Sequence, residues 1–430
     1  MGQVNALAPT GPPDDPGQPD ASGTSGAPDP SGPLAGFLAL RTPEGAELLA
    51  GLRAYDPATE LATATRLRRT HPAGLVSAAL GQARLRQRAV AKFGAEDAHR
   101  MFFTPDGVEQ ATRSSVAAHR AARFAGTGVR SVADLCCGIG SDAIALARAG
   151  IRVLAVDRDP LTAEVARANA AALGLGALIE VRCADVTEID ASPYDAVFVD
   201  PARRGGRGRI FDPEAYSPPL SWATAAALRA PRAALKIAPG VPHEAIGPQA
   251  EAEWISDGGD VKETVLWFGE GFEAGSYRAT LLPSGATLSA PAALPAPPVG
   301  PVGRYLYEPD GAVIRAHLVA DIVQRCGGRL IDGMIAYVTS DELYDSPYTA
   351  GYEITDQLPF NMKRLKALLR ERKVGVLTVK KRGSPVEPEE LRKKMKLQGP
   401  NRATVFLTRV ADAPTMLIGH PVTGPEAGLA

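Results

Sequence analysis

Four carboxylates close four successive apolar runs in this 430-residue chain: Asp134, Asp157, Asp185 and Asp200. The first opens Asp134-Leu-Cys136-Cys-Gly138-Ile-Gly140, a glycine bend between a β-rich run and a helical one. Glycines at such a bend let the main chain turn sharply and let a ligand approach it. Asp157 follows Gly138 by nineteen residues, the spacing at which a carboxylate ending the next strand can accept the hydroxyls of a ribose. The same bend fits a dinucleotide fingerprint, and a glycine motif alone is a weak signal. Asp134 tips the balance. A carboxylate four residues before the first glycine repels a pyrophosphate and suits a cation. Asp185, in Arg182-Cys-Ala-Asp185, can accept from an adenine amino group. Asp200-Pro201-Ala202-Arg203 ends the fourth run, at the edge where open α/β sheets bind ligands. Any one such Asp is as readily a helix N-cap, so the weight lies in their order.

The elements around these residues alternate. Val132–Leu135, Arg152–Asp157, Ile179–Cys183, Tyr194–Asp200 and Ala233–Ile237 are β-rich, and alanine-rich helical stretches separate them. This pattern predicts a mostly parallel sheet covered on both faces. Ala252–Ile255, Glu263–Phe268 and Tyr277–Leu282 follow; the last two have no helix between them and are expected to form an antiparallel edge. Residues 33–124 read as a helical region, and residues 1–32, rich in Pro, Gly, Asp and Ser, as a disordered tail. Residues 125–285 form the expected ligand-binding domain, 286–302 a Pro- and Ala-rich linker, and 303–420 a second, smaller α/β domain. In that last region helices are expected at 316–325, 359–372 and 387–396, and strands at 335–339, 374–379, 404–408 and 416–418.

Composition excludes some classes. Hydrophobic residues make up 45% of the chain, enough for a sizeable core. Four cysteines without paired spacing give neither a disulfide framework nor a zinc site, which fits a reducing cytoplasm. No apolar run is long enough to span a bilayer, and no metal is required. The formal net charge is −1, but its distribution is uneven. Between Asn361 and Arg402 there are fourteen Lys or Arg and four Asp or Glu. Lys380, Lys381 and Arg382 after a strand, with Lys393 and Lys394 on a helix, are candidates for a phosphate-binding stripe. The loop 203–209 carries four arginines among three glycines directly after the fourth run, which makes Arg203, Arg204 and Arg207 candidates for phosphate contact.

Together the four aspartates and the glycine bend resemble the class I S-adenosylmethionine-dependent methyltransferases over about 150 residues. The resemblance implies a Rossmann-like α/β fold with a seven-stranded sheet. It assigns Asp134 and the bend, Cys136, Gly138 and Gly140, to the methionine end of the donor, Asp157 to its ribose and Asp185 to its adenine. Amine methyltransferases carry Asp/Asn/Ser-Pro-Pro-aromatic at the fourth strand end. Asp200 and Pro201 match and Ala202 and Arg203 depart, so Asp200 is expected to orient the acceptor, Pro201 to shape the pocket and Arg203 to contact base or phosphate. Uracil-5 methyltransferases need a cysteine after the fifth strand, where this chain reads Lys236-Ile-Ala-Pro-Gly240. The segment Phe103–Arg113 is similar to one that covers the donor pocket in trimethylguanosine-synthase-like enzymes; an N-cap at Thr104 followed by Pro105 accounts for it equally. Val379-Lys-Lys-Arg-Gly383 and Pro388-Glu-Glu-Leu-Arg-Lys-Lys394 resemble the THUMP-like domain of bacterial methyltransferases, which implies an RNA partner, transfer or ribosomal RNA. The expected activity is methylation of a base nitrogen, with guanine favoured. The alternatives are a small-molecule or protein acceptor, or an RNA-binding protein with a vestigial donor pocket.

Overall fold

The computed structural model describes residues 32–202, 204–205, 208–209, 212–292 and 294–422. The expected tail up to residue 31, and Arg203 and Arg207, lie outside the described residues. The chain divides into two compact units after Leu80.

The first unit holds α1 (Pro33–Leu40), α2 (Pro43–Gly51), α3 (Glu60–Leu67) and the start of α4 (Ala73–Arg100). Thr42 caps α2 through its hydroxyl, and Phe37, Leu40, Leu48 and Leu49 are buried.

The second unit begins within α4, whose helical course breaks at Gly94, and continues through α5 (Pro105–Gln110) and α6 (Ser114–Gly126). Its first sheet comprises β1 (Ser131–Leu135), β2 (Arg152–Asp157), β3 (Ile179–Cys183), β4 (Ala196–Val199), β5 (Arg232–Ile237), β6 (Glu251–Asp257), β7 (Asp260–Gly269), β8 (Ser276–Leu282) and β9 (Ala286–Pro291). Helices α7 (Ser141–Arg148), α8 (Pro160–Ala172) and α9 (Leu220–Arg229) make the crossovers. Among the described residues these nine strands are ordered β9-β8-β6-β7-β5-β4-β1-β2-β3. β1 to β5 run parallel, and β1 and β4 are buried along their whole length, so both read as uninterrupted apolar runs.

Two expectations fail at the other side of the sheet. β7 does not pair with β8; it lies between β5 and β6, antiparallel to both. The cause is a tight hairpin at Asp257-Gly258-Gly259-Asp260, where both glycines take positive φ, 63° and 84°. Gly-Gly is a strong signal for such a turn, and it returns the chain before β8 is made. The antiparallel edge is instead β8 with β9. The seven-stranded sheet is therefore present and extended by β8 and β9. β9 occupies the first part of the expected linker, because Leu288 is buried against the core despite the Pro- and Ala-rich surroundings.

The C-terminal region adds β10 (Tyr305–Pro309), α10 (Gly311–Arg315), α11 (Val319–Arg325), β11 (Arg329–Asp332), β12 (Ile335–Ser340), β13 (Thr349–Pro359), α12 (Met362–Glu371), β14 (Val374–Lys381), α13 (Pro388–Met395), β15 (Asn401–Val410) and β16 (Ala413–Pro421). Its strands are ordered β11-β12-β10-β13-β16-β15-β14. The expected helix at 316–325 is broken, because His317 takes φ 56° and splits α10 from α11. Along β15 the faces alternate: Val405 and Leu407 meet Leu365, Leu369 and Leu391, while Phe406 meets Tyr337 and Tyr352. One apolar cluster runs through both sheets, joining Trp254, Ala279 and Leu288 to Ala312, Val313, Ile322 and Tyr307.

Candidate functional site

Because β1 to β5 are parallel, the residues that follow β1, β2, β3 and β4 all emerge at one edge. β1 and β4 are neighbours whose crossovers leave in opposite directions, and a crevice opens between such strands. The glycine bend fills it. Cys136, Gly138 and Gly140 all take positive φ, and a Cβ added at Gly138 would meet open space. The Gly138 N–H donates to Asp157 Oδ2 at 3.0 Å, and the Asp159 N–H donates to the other oxygen of Asp157, also at 3.0 Å. Asp157 thus fixes the bend. Burial raises the pKa of its carboxyl, against the pull of these two N–H groups. Burial also pushes the Cys136 and Cys137 thiols up, so both are neutral.

Beneath the bend Asp134 is 0% exposed, and among the described residues neither of its oxygens has a hydrogen-bond partner. Burial, with Asp142 and Asp200 nearby, carries its pKa well above the ordinary carboxylate value. An unpartnered buried carboxylate is costly and calls for an explanation. A cationic ligand group at the bend would supply one.

Asp200 lies just past β4, and its N–H bonds to the Leu135 carbonyl. Its Oδ2 accepts from Lys236 Nζ at 2.6 Å, and Lys236 also donates to Thr112 Oγ1 at 3.0 Å. Lys236 is buried on β5. Burial works against its charge, yet Asp200, Glu263 and Asp142 raise its pKa. Arg120, from the buried face of α6, pairs with Asp142 and Glu263 and stacks on Phe198 at 4.4 Å. Among the described residues four carboxylates thus converge with two cations, Arg120 and Lys236, so the centre favours one more positive charge.

The segment expected to cover the pocket does adjoin the bend. Thr104 caps α5, accepting from the Gly107 N–H at 2.9 Å, and Gly107 lies so near Ile139 of the bend that a Cβ there would clash. Asn169 on α8 bridges the two, donating to the carbonyls of Phe102 and Ile139.

The structure brings Asp134, Cys136, Gly138, Gly140, Asp157, Asp200 and buried Pro201 to this edge. Asp185 is placed differently. Its Oδ1 caps the turn after β3, accepting from the Thr187 N–H and hydroxyl, and these bonds lower its pKa. The Arg204 side chain lies outside the described residues. The basic stripe is largely paired: Lys380 and Arg382 with Glu308, Lys381 with Glu387, Lys394 with Glu390. Lys393 forms no ion pair among the described residues. Sequence reasoning missed Lys236, Arg120, Asp142, Glu263 and Thr112. Among the described residues no group of His, Cys, Asp or Glu could hold a metal ion, and no helix is long and apolar enough to cross a membrane.

Comparison with known proteins matches three parts of the chain. A family profile described as a methyltransferase domain fits residues 132–202, one described as THUMP domain-like fits 349–421, and one for a domain of unknown function fits 33–89. An uncharacterized S-adenosylmethionine-dependent methyltransferase of Mycobacterium tuberculosis is 35% identical over 338 residues, covering 76% of this chain and 90% of the relative. An uncharacterized RNA methyltransferase of Parasynechococcus marenigrum is 34% identical over 91 residues, 20% of each chain. The crystal structure of a putative methyltransferase from Porphyromonas gingivalis shares the fold, with TM-score 0.72 and 21% identity over 87% of this chain and 98% of that one.

Proposed function

This chain belongs to the S-adenosylmethionine-dependent methyltransferases, and we propose that its acceptor is a base nitrogen of structured RNA, guanine first, in transfer or ribosomal RNA of the cytoplasm. The residues at the bend fit the donor. Asp134 would face its cationic methionine end, the bend would admit it to the main chain, Asp157 would take the ribose and Asp185 the adenine through the oxygen not engaged by Thr187. When bound, the donor supplies a methyl group already activated on a sulfonium.

The observation that carries the proposal is Asp200. One of its oxygens is held by Lys236, and the other is left to accept an N–H from the acceptor. Gripping that hydrogen aims the nitrogen lone pair along the line of displacement, which is most of what such a transfer needs. Lys236 is the positioning residue, because it fixes the Asp200 rotamer and ties it to Thr112 of the covering segment. Pro201 stiffens the pocket wall, and Arg203, Arg204 and Arg207 meet phosphate or base. A THUMP-like region on the same chain supports RNA as the acceptor.

Labelled donor and total RNA, digested to nucleosides after incubation, test this. Label is expected in a methylated guanosine, and its absence from every nucleoside overturns the RNA reading. Asp200→Ala is expected to cut transfer by about 10²- to 10³-fold while calorimetry shows donor affinity nearly intact.

A further inference from the structure

One opening in the second unit has no part in donor binding. It is a cleft of about 730 Å³ between the β6–β7 hairpin and the C-terminal region, and Lys262, Arg315 and Arg382 reach it from three different elements. Gly259 and Gly311 line it as well.

The charge around it is unbalanced. Lys262 pairs with Asp260 at 3.0 Å, but Asp260 is largely exposed. Glu308 is shared between Lys380 and Arg382. Arg315 donates through Nη1 to the Pro239 carbonyl at 3.1 Å and has no carboxylate partner among the described residues. Among the described residues that line the cleft, three cations therefore face one carboxylate, Asp260. A planar guanidinium with donors to spare is suited to the oxygens of a phosphodiester.

Position gives the cleft its meaning. Ile237, the last residue of β5, pairs with Thr264, so the start of β7 and its hairpin overhang the edge where Asp200 sits. Val261, in the cleft wall, is four residues from Val265, the partner of Lys236, a distance of about 13 Å along a strand. Side chains join the two places. Lys236 bonds to Thr112, and the adjoining Arg113 and Ser115 both reach Asp257 at the hairpin. A chain whose reacting base sits at Asp200 would pass this cleft within a few nucleotides.

We propose that the cleft bounded by Lys262, Arg315 and Arg382 holds the sugar-phosphate backbone of the RNA strand next to the target nucleotide. The proposal rests on the RNA reading above. It assigns substrate capture to the joint between the two sheets, where Lys262 and Arg315 join Arg382 of the basic stripe.

The test uses the full chain, bulk transfer RNA and ribosomal RNA as probes, and the double variant Lys262→Gln/Arg382→Gln. Methylation kinetics, RNA binding across a salt series and donor calorimetry are measured for both proteins. The variant is expected to raise the KM for RNA about tenfold and to flatten the slope of log affinity against log salt by about one to two, with donor affinity unchanged as a control on folding. If wild type labels RNA and the variant matches its KM and salt slope, the cleft assignment falls and the RNA reading stands. If wild type labels no RNA nucleoside, or labels only a protein fraction, both fall together.

Discussion

Two buried acidic groups lie under α6, and they are built in opposite ways. At β6, Glu251 and Glu253 are both enclosed, and every demand they make is met. Arg123 bridges them, Arg278 pairs with Glu251, and Glu253 also accepts from His119, the Trp267 indole and Thr280. Burial would raise the pKa of Glu253, but the His119 hydrogen bond and the charge of Arg123 carry it far below the ordinary value. At β1, Asp134 is as deeply enclosed and has no hydrogen-bond partner among the described residues, and its pKa moves the other way. The same residue chemistry in the same sheet thus serves two ends. A satisfied carboxylate locks a helix onto strands; an unsatisfied one, on the donor-site proposal, would keep a place for a ligand's charge. Satisfaction, rather than burial, tells the two apart.

The sharpest way to break this comparison is to exchange the outcomes. Glu253→Ala leaves Arg123 and His119 facing a buried gap, and is expected to cost about 3–5 kcal/mol of stability in chemical denaturation. A loss below about 1 kcal/mol would show that the network is ornamental. Asp134→Asn is expected to leave stability within about 1 kcal/mol of wild type, since no partner is orphaned, while weakening donor binding by at least about 2 kcal/mol, roughly thirtyfold. Should that variant unfold the protein and spare donor affinity, the two groups are not different in kind.

The smallest effect is a titration. Asp134 has a folded-state pKa raised above its unfolded value, so its contribution to stability is present at low pH and is lost as pH rises through the folded pKa. The donor-free protein should therefore lose thermal stability as pH climbs above the carboxylate range, and Asp134→Asn should flatten that slope. A cationic ligand favours the ionised form, so donor affinity should increase with pH over the same window. Calorimetry in buffers of different ionisation enthalpy should detect release of up to about one proton per donor bound.

Most of the parallel half of the fold was plain in the sequence, because β1, β2, β4 and β5 are buried along nearly their whole length and read as apolar runs. The bend residues and Asp200 directly follow two of those runs, and the structure brings them to one edge of the sheet. The charged network below them was harder to see, since Lys236 meets Thr112 across 124 positions and Arg120 meets Glu263 across 143. Faint signals existed. Lys236 interrupts Ala233-Ala-Leu-Lys-Ile237, and Arg120 sits on the apolar face of α6 among Val116, Ala117 and Phe124. A cation in such a place is seldom buried without a partner. The Asp185 cap was one of the two readings open to a strand-end Asp. Elsewhere composition misled. Proline and alanine hid β9, and β13 went unseen because its residues are mostly half-exposed and lack a strict alternation.

The apolar cluster that threads both sheets carries a mechanical consequence. His243, in the loop after β5, stacks on His317 at 3.7 Å and on Trp254 at 5.0 Å, while Tyr348 donates to the Thr287 carbonyl. The C-terminal region is thus welded to the catalytic sheet, not tethered beside it. On the RNA reading proposed above, the molecule would work as a caliper with its jaws set, gauging the reach from a held strand to a target base. Cutting the chain near Gly303 would strip Trp254 and Leu288 of their cover, so truncation would report on a broken instrument.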